Sequence, residues 1–333
     1  MEDRFALRAV VLGILVTLLS PLASFGGDVT LKLAHIAPPG SMYDAAGAKL
    51  AERVAANTKG KIEIKIFGNS QLGVAPELWA QLRSGAIDLH VVDVGAVSTV
   101  EPDPKNLSIL QAPYLFDSQA QCRSFIKSPL GQAMLAKVDT ANNMKFLGYL
   151  GDSSARAFAT TSKRVTTPEE MKGLKLRVAP FPVFVATYKA WGATPTPTSP
   201  KAIYTSVKSG MVDGMDLAIL DLYFSKYYEI QKYFTAIDYA YSGLGCWISA
   251  KRWDSFDEET KAAVLKAVQE TEVYMTGYVK NLHDEAEKAF KAAGVQVIHP
   301  DLTPWKELAV KAVKEFDGKL WEKGLYEKIR AAK

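Results

Sequence analysis

Two arginines set among apolar residues are the features of this sequence best suited to do chemistry. Arg177 lies in the apolar segment Leu174-Lys-Leu-Arg-Val178, and Arg156 follows an apolar run at residues 146–149. A buried guanidinium is costly unless it meets an anion, and its planar fork fits a carboxylate through two parallel hydrogen bonds. Each arginine is therefore a candidate clamp for an anionic ligand. The alternative for each is an internal salt bridge or plain exposure to solvent.

Metal and nucleophile chemistry finds little support in the residues. The histidines are isolated, with no pair at the i, i+4 spacing of a metal-binding helix: His35, His90, His283 and His299. Gly151-Asp-Ser153 is similar to the nucleophile block of some secreted esterases, but no aspartate stands three residues before His283 or His299 to complete such a site. We expect no metal, no cofactor and no enzymatic activity. A secreted enzyme is the competing hypothesis.

The elements that must position the arginines alternate between strands and helices. Residues 29–35 are apolar, as in a buried strand, and residues 61–67 alternate isoleucine with Lys or Glu, as in a half-buried one. A helix is predicted at residues 75–84 and another strand at 87–93. The helical pattern of residues 257–293 would form a rod of roughly 55 Å, longer than one lobe is wide. The sequence thus predicts an α/β fold with two lobes and a long helix spanning both.

A short internal echo suggests paired loops. Residues 82–88 and residues 207–213 have similar sequences, each with the end of a helix, a Gly and the apolar start of a strand. Each copy soon places a carboxylate, Asp93 in the first and Asp216 in the second. Because ligands of open parallel sheets bind beyond the carboxyl ends of the strands, these two residues are candidates for a shared cleft. Chance similarity is the alternative.

Composition excludes some partners. The 333 residues are 48% apolar and 23% charged, enough to build two lobes of ordinary size. The net charge is only +4, and basic residues are interleaved with acidic ones. A stripe of basic residues, which nucleic-acid binding needs, is missing from the sequence. We therefore expect no nucleic-acid partner.

The amino terminus indicates export. Arg4 and Arg8 precede an apolar stretch at residues 9–19 and a segment of small residues at 20–27, the order found in a cleaved secretory signal. A membrane anchor is the alternative, but the apolar run is shorter than the roughly 20 residues that a spanning helix needs. Cys122 and Cys246 could pair after export, although two buried free thiols are favoured.

Several ordered motifs together resemble one family. The sequence is similar to the extracytoplasmic solute receptors of tripartite ATP-independent periplasmic (TRAP) transporters, of the dicarboxylate-receptor type. The motifs that carry this resemblance run over most of the chain: Phe67-Gly-Asn-Ser-Gln-Leu-Gly73, Ser84-Gly-Ala-Ile-Asp88, Ala112-Pro-Tyr-Leu-Phe116, Lys163 to Val178 with its Leu-Lys-Leu-Arg-Val ending, Gly192-Ala-Thr-Pro-Thr-Pro197, Gly210-Met-Val-Asp-Gly214 and Tyr227-Tyr-Glu-Ile-Gln-Lys-Tyr-Phe234.

The resemblance implies a periplasmic receptor that closes on a small organic anion and delivers it to a membrane permease of one small and one large subunit. A monomer is expected. The signal peptide would be residues 1–27, the first lobe residues 28–153 plus about 242–280, and the second lobe residues 154–241 plus about 281–333. In this family the arginine of the Leu-Lys-Leu-Arg-Val motif pairs with the substrate carboxylate, and an arginine about 21 positions earlier assists. These correspond to Arg177 and Arg156.

Departures from the family pattern concern the ligand. Where relatives often have an acidic residue and then Asn, this chain has Asp216 and then Leu217, so an amide contact is lost or altered. Pro200 stands close to where many relatives have an aromatic residue, and Phe181 is a candidate to compensate. Such a pocket would favour a monocarboxylate with an apolar body.

Three further residues are candidates for polar contacts in the pocket. Asp93 and Asp216 could bind a hydroxyl or an ammonium of the ligand, or else cap a loop or pair with an arginine. His35, at the end of the first strand, is a further pocket candidate or a structural histidine. A sensor subunit and an organosulfonate receptor are the alternative functions.

Overall fold

The computed structural model describes residues 28–100 and 106–332, so the predicted export signal at residues 1–27 lies outside it. The strands in these ranges are β1 (Val29–Ala34), β2 (Ile62–Phe67), β3 (Leu89–Asp93), β4 (Met144–Asp152), β5 (Arg156–Thr160), β6 (Lys175–Val178), β7 (Thr194–Pro197), β8 (Gly214–Ala218), β9 (Tyr233–Ala240), β10 (Gly243–Ser249) and β11 (Gln296–Ile298).

The helices in the same ranges are α1 (Met42–Asn57), α2 (Ala75–Ser84), α3 (Gln119–Lys127), α4 (Pro129–Asn142), α5 (Pro182–Ala190), α6 (Ile203–Lys208), α7 (Ile219–Phe224), α8 (Ala250–Asp254), α9 (Glu258–Ala292), α10 (Thr303–Val313) and α11 (Leu325–Ala331). Helix α2 has the predicted bounds and ends at Gly85, whose φ of 76° is accessible to glycine at little cost. Helix α9 extends over 35 residues, and its first turn is capped by Asp257, which accepts from the Thr260 amide.

Two sheets divide the strands. The first sheet has the order β2-β1-β3-β10-β4, with β1, β2 and β3 parallel and β10 antiparallel to its neighbours. The second has the order β11-β9-β5-β8-β6-β7, in which β6 is parallel to β7 and β8. Each sheet is covered by helices, so the chain forms two α/β lobes, as the alternating pattern predicted. The two similar segments, residues 82–88 and 207–213, lead into one strand of each sheet, β3 and β8.

Three connections join the lobes. The chain crosses from β4 to β5 at residues 153–155 and returns from β9 to β10 at residues 241–242. Helix α9, about 52 Å long at 1.5 Å per residue, packs against α1 and β4 on one side and against α7 and β11 on the other. The prediction of a long helix that spans both lobes is confirmed.

Neither a disulfide nor a membrane-spanning helix occurs in the described residues. Cys122 and Cys246 are both buried and free. None of the helices in the described ranges combines the length and apolar character needed to cross a bilayer.

Candidate functional site

Arg177 is a buried cation whose hydrogen bonds all go to neutral acceptors. It lies near the carboxyl end of β6 and is 1% exposed. Its Nε and Nη2 donate to the Thr198 carbonyl at 3.0 and 2.7 Å, and its Nη1 donates to the Asp216 carbonyl at 3.2 Å. Burial lowers the pKa of the guanidinium to about 10, although the Asp216 carboxylate nearby opposes this shift. No ion pair to Arg177 occurs within residues 28–100 and 106–332, and one N–H on each terminal nitrogen remains undonated.

Arg156, by contrast, has an internal counter-charge. It begins β5 and pairs with Asp216 of β8, with Nη2 to Oδ2 at 2.6 Å and Nε to Oδ1 at 3.2 Å. The Tyr239 hydroxyl donates to the same Oδ1 at 2.9 Å. Burial is the largest single influence and opposes the charged form of Arg156, but the charges and hydrogen bonds of Asp216 and Tyr239 together outweigh it and raise the pKa of the guanidinium. The side chain is 20% exposed, and its Nη1 makes no hydrogen bond to the described residues.

An aromatic surface lies under this ion pair. The Arg156 guanidinium carbon is 4.8 Å from the centre of the Phe184 ring, in cation–π geometry. Phe184 is fully buried in the first turn of α5, and Tyr239 packs edge-on against it at 5.6 Å. The Arg156 guanidinium is therefore held against packed aromatic side chains.

Two further carboxylates and a phenol face the arginines. Asp93, the last residue of β3, accepts from the Gly95 amide at 2.9 Å. Burial raises the pKa of Asp93, while Ser242 and Arg156 lower it. Burial likewise raises the pKa of Tyr43, in the first turn of α1, and the Asp221 and Asp93 carboxylates add to the shift. Side chains from both lobes thus meet in one electrostatic cluster.

Asp221 is the carboxylate of this cluster that lacks a partner. It lies in the first turn of α7 and is half-buried. Burial raises its pKa to about 6; Arg156 lowers the pKa, whereas Asp93 and Asp216 raise it further. No hydrogen bond or ion pair to its carboxylate is found in the described part of the chain.

A cleft lined in this way, between two lobes linked by crossing strands, is the arrangement of a binding protein. A family model described as "Bacterial extracellular solute-binding protein, family 7" matches residues 33–319 of the chain. The protein belongs to this family. The resemblance that its motifs predicted is confirmed, and the family is one of solute-binding proteins rather than enzymes.

Relatives of this solute-binding protein cover nearly its whole length. The sialic acid-binding periplasmic protein SiaP of Vibrio cholerae is 27% identical over 302 residues, which are 91% of this chain and 92% of SiaP. A TRAP periplasmic solute binding protein from Xanthobacter autotrophicus Py2, solved with bound beta-D-galacturonate, is 28% identical at a TM-score of 0.82 and covers 91% of this chain and 100% of its own. One from Actinobacillus succinogenes 130Z, with bound L-galactonate, is 25% identical at a TM-score of 0.83, with 91% and 98% covered.

Five of the residues predicted for the site lie together. Arg177, Arg156 and Asp216 form its centre, and the charge of Arg156 acts on Asp93 across the cleft. Leu217 lies on the same face of the second sheet as Met215, the register partner of Arg177. It is mostly buried and offers no hydrogen bond. Asp93 and Asp216 also make the internal contacts, a loop cap and an arginine pair, that were the alternative to ligand binding.

The other predicted residues lie at the margin. His35 is fully buried behind Tyr43, with ring centres 6.3 Å apart and its Nε2 3.5 Å from Asp44, and burial lowers its pKa. Phe181 packs on Phe184 at 5.2 Å and lines a groove between α5 and α10 instead of touching the arginines. Pro200 is exposed in the turn that follows β7.

Sequence reasoning missed four residues of the cluster. Tyr43, Phe184 and Asp221 each lie in the first turn of a helix that follows a strand, where the carboxyl ends of parallel strands open into the cleft. That position was an available signal. Tyr239 had none, because only the pairing of β9 with β5 brings its hydroxyl to Asp216.

Proposed function

We propose that this protein binds a small organic carboxylate between its lobes and presents it to a TRAP-type membrane transporter. The observation that carries the proposal is Arg177. A guanidinium that is 1% exposed and donates only to carbonyl oxygens is a buried charge with no ion pair of its own among the described residues. Such a charge is expensive unless an anion neutralises it, so a ligand carboxylate is its natural partner.

The donors available to the carboxylate come from both arginines. Arg177 retains one N–H on each terminal nitrogen, and Arg156 retains its Nη1. The carbonyl bonds to Thr198 and Asp216 fix the plane of Arg177 before a ligand arrives, so little side-chain entropy is lost on binding. Leu217 contributes an apolar contact at the position where relatives often have an amide. Phe184 supports the Arg156 guanidinium from below and so helps to hold that donor in place.

The setting of the proposal follows the family. Relatives are named as periplasmic proteins and were solved with sugar acids bound, which supports a periplasmic receptor for an organic acid. We assign the lobes that close on the ligand to residues 28–153 plus about 242–280 and residues 154–241 plus about 281–313, boundaries supported by the two strand crossings. The second lobe does not extend to residue 333 as the resemblance implied, because residues 314–331 bond to the first lobe: the Glu322 amide donates to Asn106, and the Tyr326 hydroxyl donates to the Pro113 carbonyl. Cleavage of residues 1–27, action as a monomer and a permease of small and large subunits belong to the same proposal.

Calorimetric titration of Arg177 variants tests the proposal. A thermal-shift screen of carboxylates, sulfonates and neutral solutes first finds a ligand. We expect Arg177→Met to abolish its binding, and Arg177→Lys to weaken it at least about tenfold, because an ammonium cannot reproduce the bidentate fork. Arg53→Ala, an exposed change on α1 far from the cluster, is the control and should bind normally.

Near-normal affinity of Arg177→Lys would refute the bidentate clamp. A response confined to sulfonates or neutral solutes would refute the carboxylate class.

A further inference from the structure

The charges of the cleft do not balance around a simple carboxylate. Arg156 is neutralised by Asp216, and a ligand carboxylate would neutralise Arg177. Asp93 and Asp221 then remain. Asp93 ends β3, and Asp221 lies three residues beyond Ala218, the strand partner of Arg156. The negative charge of Asp93 raises the pKa of Asp221, and the charge of Arg156 lowers the pKa of both carboxylates. A second carboxylate on the ligand would add a third negative charge beside Asp93 and Asp221 in a half-buried space, which is unfavourable at low effective dielectric.

The two carboxylates are not equivalent. Asp93 already uses Oδ1 to cap the turn after β3 by accepting from Gly95. Asp221 makes no hydrogen bond or ion pair within the described residues. It lies in the first turn of α7, where the neighbouring Leu220 amide donates to Ser154, two residues before Arg156. Its charge raises the pKa of Tyr43 in the first lobe. An ionisable group that is half-buried, unpaired and close to the arginines of a ligand-binding cluster is a candidate for ligand contact.

We infer that the ligand carries a protonated amino group as well as its carboxylate, and that Asp221 is the residue that selects for it, with Asp93 and the Tyr43 hydroxyl beside it. This inference rests on the proposed function, since Arg177 is taken as the carboxylate clamp. The ligand class is therefore that of zwitterionic amino acids or amino-substituted organic acids. A charge-assisted hydrogen bond from the ammonium to Asp221 would then neutralise the second end of the cleft.

A polyhydroxy acid fits the same groups less well. Hydroxyls can donate to Asp93 and Asp221, but they leave the charge of both carboxylates uncompensated. A ligand hydroxyl also needs protein groups that donate a hydrogen bond to it. Leu217 and Phe184 are apolar and cannot donate one. The cleft therefore needs a positive charge from its ligand, and the hydroxyls of a sugar acid do not supply one.

Matched pairs of ligands test the inference by isothermal titration at pH 7.5. The probes are amino acids and the hydroxy acids of the same carbon chain, from glycine and glycolate to 5-aminopentanoate and 5-hydroxypentanoate, together with the proteinogenic amino acids and their 2-hydroxy counterparts. We expect at least one amino acid to bind more than about tenfold tighter than its hydroxy partner, about 1.4 kcal/mol. Asp221→Asn should reduce that preference to below about threefold and leave the affinity for the hydroxy partner nearly unchanged.

The controls separate this inference from the proposed function. Asp254→Asn, an exposed change on α8, should keep the amino preference, and the melting temperature of Asp221→Asn reports that it folds.

Lowering the pH to 5 should weaken amino-acid binding by wild type, because Asp221 is protonated there. The other charged or titratable groups whose charges influence Asp221 or are influenced by it are Asp93, Asp216, Arg156, Arg177, Tyr43 and Tyr227. The pH effect should be smaller in Asp221→Asn.

Each outcome decides one claim. Hydroxy acids that bind wild type as tightly as amino acids, or a preference that survives in Asp221→Asn, would overturn the inference while the carboxylate receptor stands. Carboxylate binding that needs added Na⁺ or Ca²⁺ in place of an amino group would overturn it as well. Silence of every carboxylate, amino or hydroxy, would overturn the proposed function and the inference with it.

Discussion

The two arginines of the cleft differ in what neutralises them. Arg156 has the Asp216 carboxylate at 2.6 Å, while Arg177 has only backbone carbonyls. Asp216 therefore has a structural task, holding Arg156 in place, and is fully buried in doing so. Breaking a buried ion pair by removing one partner leaves the other charge without compensation, which is more costly than never having built the pair.

The first prediction concerns Asp216→Asn. Without ligand, we expect it to lower the free energy of unfolding by about 3–5 kcal/mol, because Arg156 and Arg177 would then be two neighbouring buried cations without a counter-charge. Urea unfolding measures the loss. Adding Arg156→Met to Asp216→Asn should recover part of it, because the orphan cation is removed. Asp117→Asn, which breaks an exposed pair with Arg330, is the control and should change stability little. A loss below about 1 kcal/mol in Asp216→Asn would contradict the argument.

At this scale the sequence predicted the arginines but not their partners. An arginine flanked by apolar residues near the end of a strand needs an anion wherever the fold places it, so Arg177 and Arg156 could be identified from their neighbours alone. The pairing of Arg156 with Asp216 depends on the register of β5 against β8, in which Arg156 faces Ala218. Residues 60 positions apart meet only through that register, and no local pattern encodes it.

Among the elements, the approach of α9 to β4 depends on two glycines. A Cβ on Gly148 would lie 2.8 Å from Val268 Cγ1, and a Cβ on Gly151 would lie 2.4 Å from Met275 Cβ. Both glycines have φ near +150°, a conformation that other residues rarely adopt. The long helix can therefore contact β4 closely just before the chain crosses to the second lobe. Gly151 belongs to the segment that is similar to an esterase block, and its use here is packing.

The second prediction compares Gly151→Ala, in this contact, with Gly277→Ala, on the exposed face of α9. Gly151→Ala should lower the free energy of unfolding by about 1–3 kcal/mol, because the added methyl overlaps Met275. Gly277→Ala should raise it by about 0.5–1 kcal/mol, because Gly277 lies on the exposed face of α9 with nothing within 4 Å and alanine favours the helix. Denaturant unfolding of both variants checks the signs. Equal effects at the two positions would refute the close-approach explanation.

Most elements could be predicted from periodicity, but their arrangement could not. The alternation in residues 61–67 predicted β2, with Ile62 and Ile64 buried and Lys65 exposed, and the helical spacing predicted α9 almost to its ends. Strand order is set by contacts between distant segments: β10 inserts between β3 and β4 although about 90 residues separate it from β4. The family resemblance, not the local pattern, supplied the expectation that each lobe is built from two separate stretches of the chain.

For the whole molecule, the cleft can close only if its two sides move as units. The crossings at residues 153–155 and 241–242 are short, and α9 packs on both lobes. The groups that we propose to bind the ligand come from both sides as well: Tyr43 and Asp93 from the first lobe, and Arg177 and Asp221 from the second. Ligand binding should therefore act on the stability of the entire chain rather than on one lobe.

The third prediction follows from this coupling. With a ligand at about 100 times its dissociation constant, stability should rise by about 2.7 kcal/mol, which for a chain of this size shifts the melting temperature by about 4 °C. Scanning calorimetry should show one transition that moves as a whole.

The lobes can be followed separately through fluorescence, since Trp79 and Trp247 lie in the core of the first sheet and Trp191 and Trp305 pack together beside the second. Variants that keep either tryptophan pair should report the same ligand-induced shift. If only one pair responds, or if the ligand splits the transition in two, the ligand does not bridge the lobes, and closure around Arg177 is not how this receptor holds it.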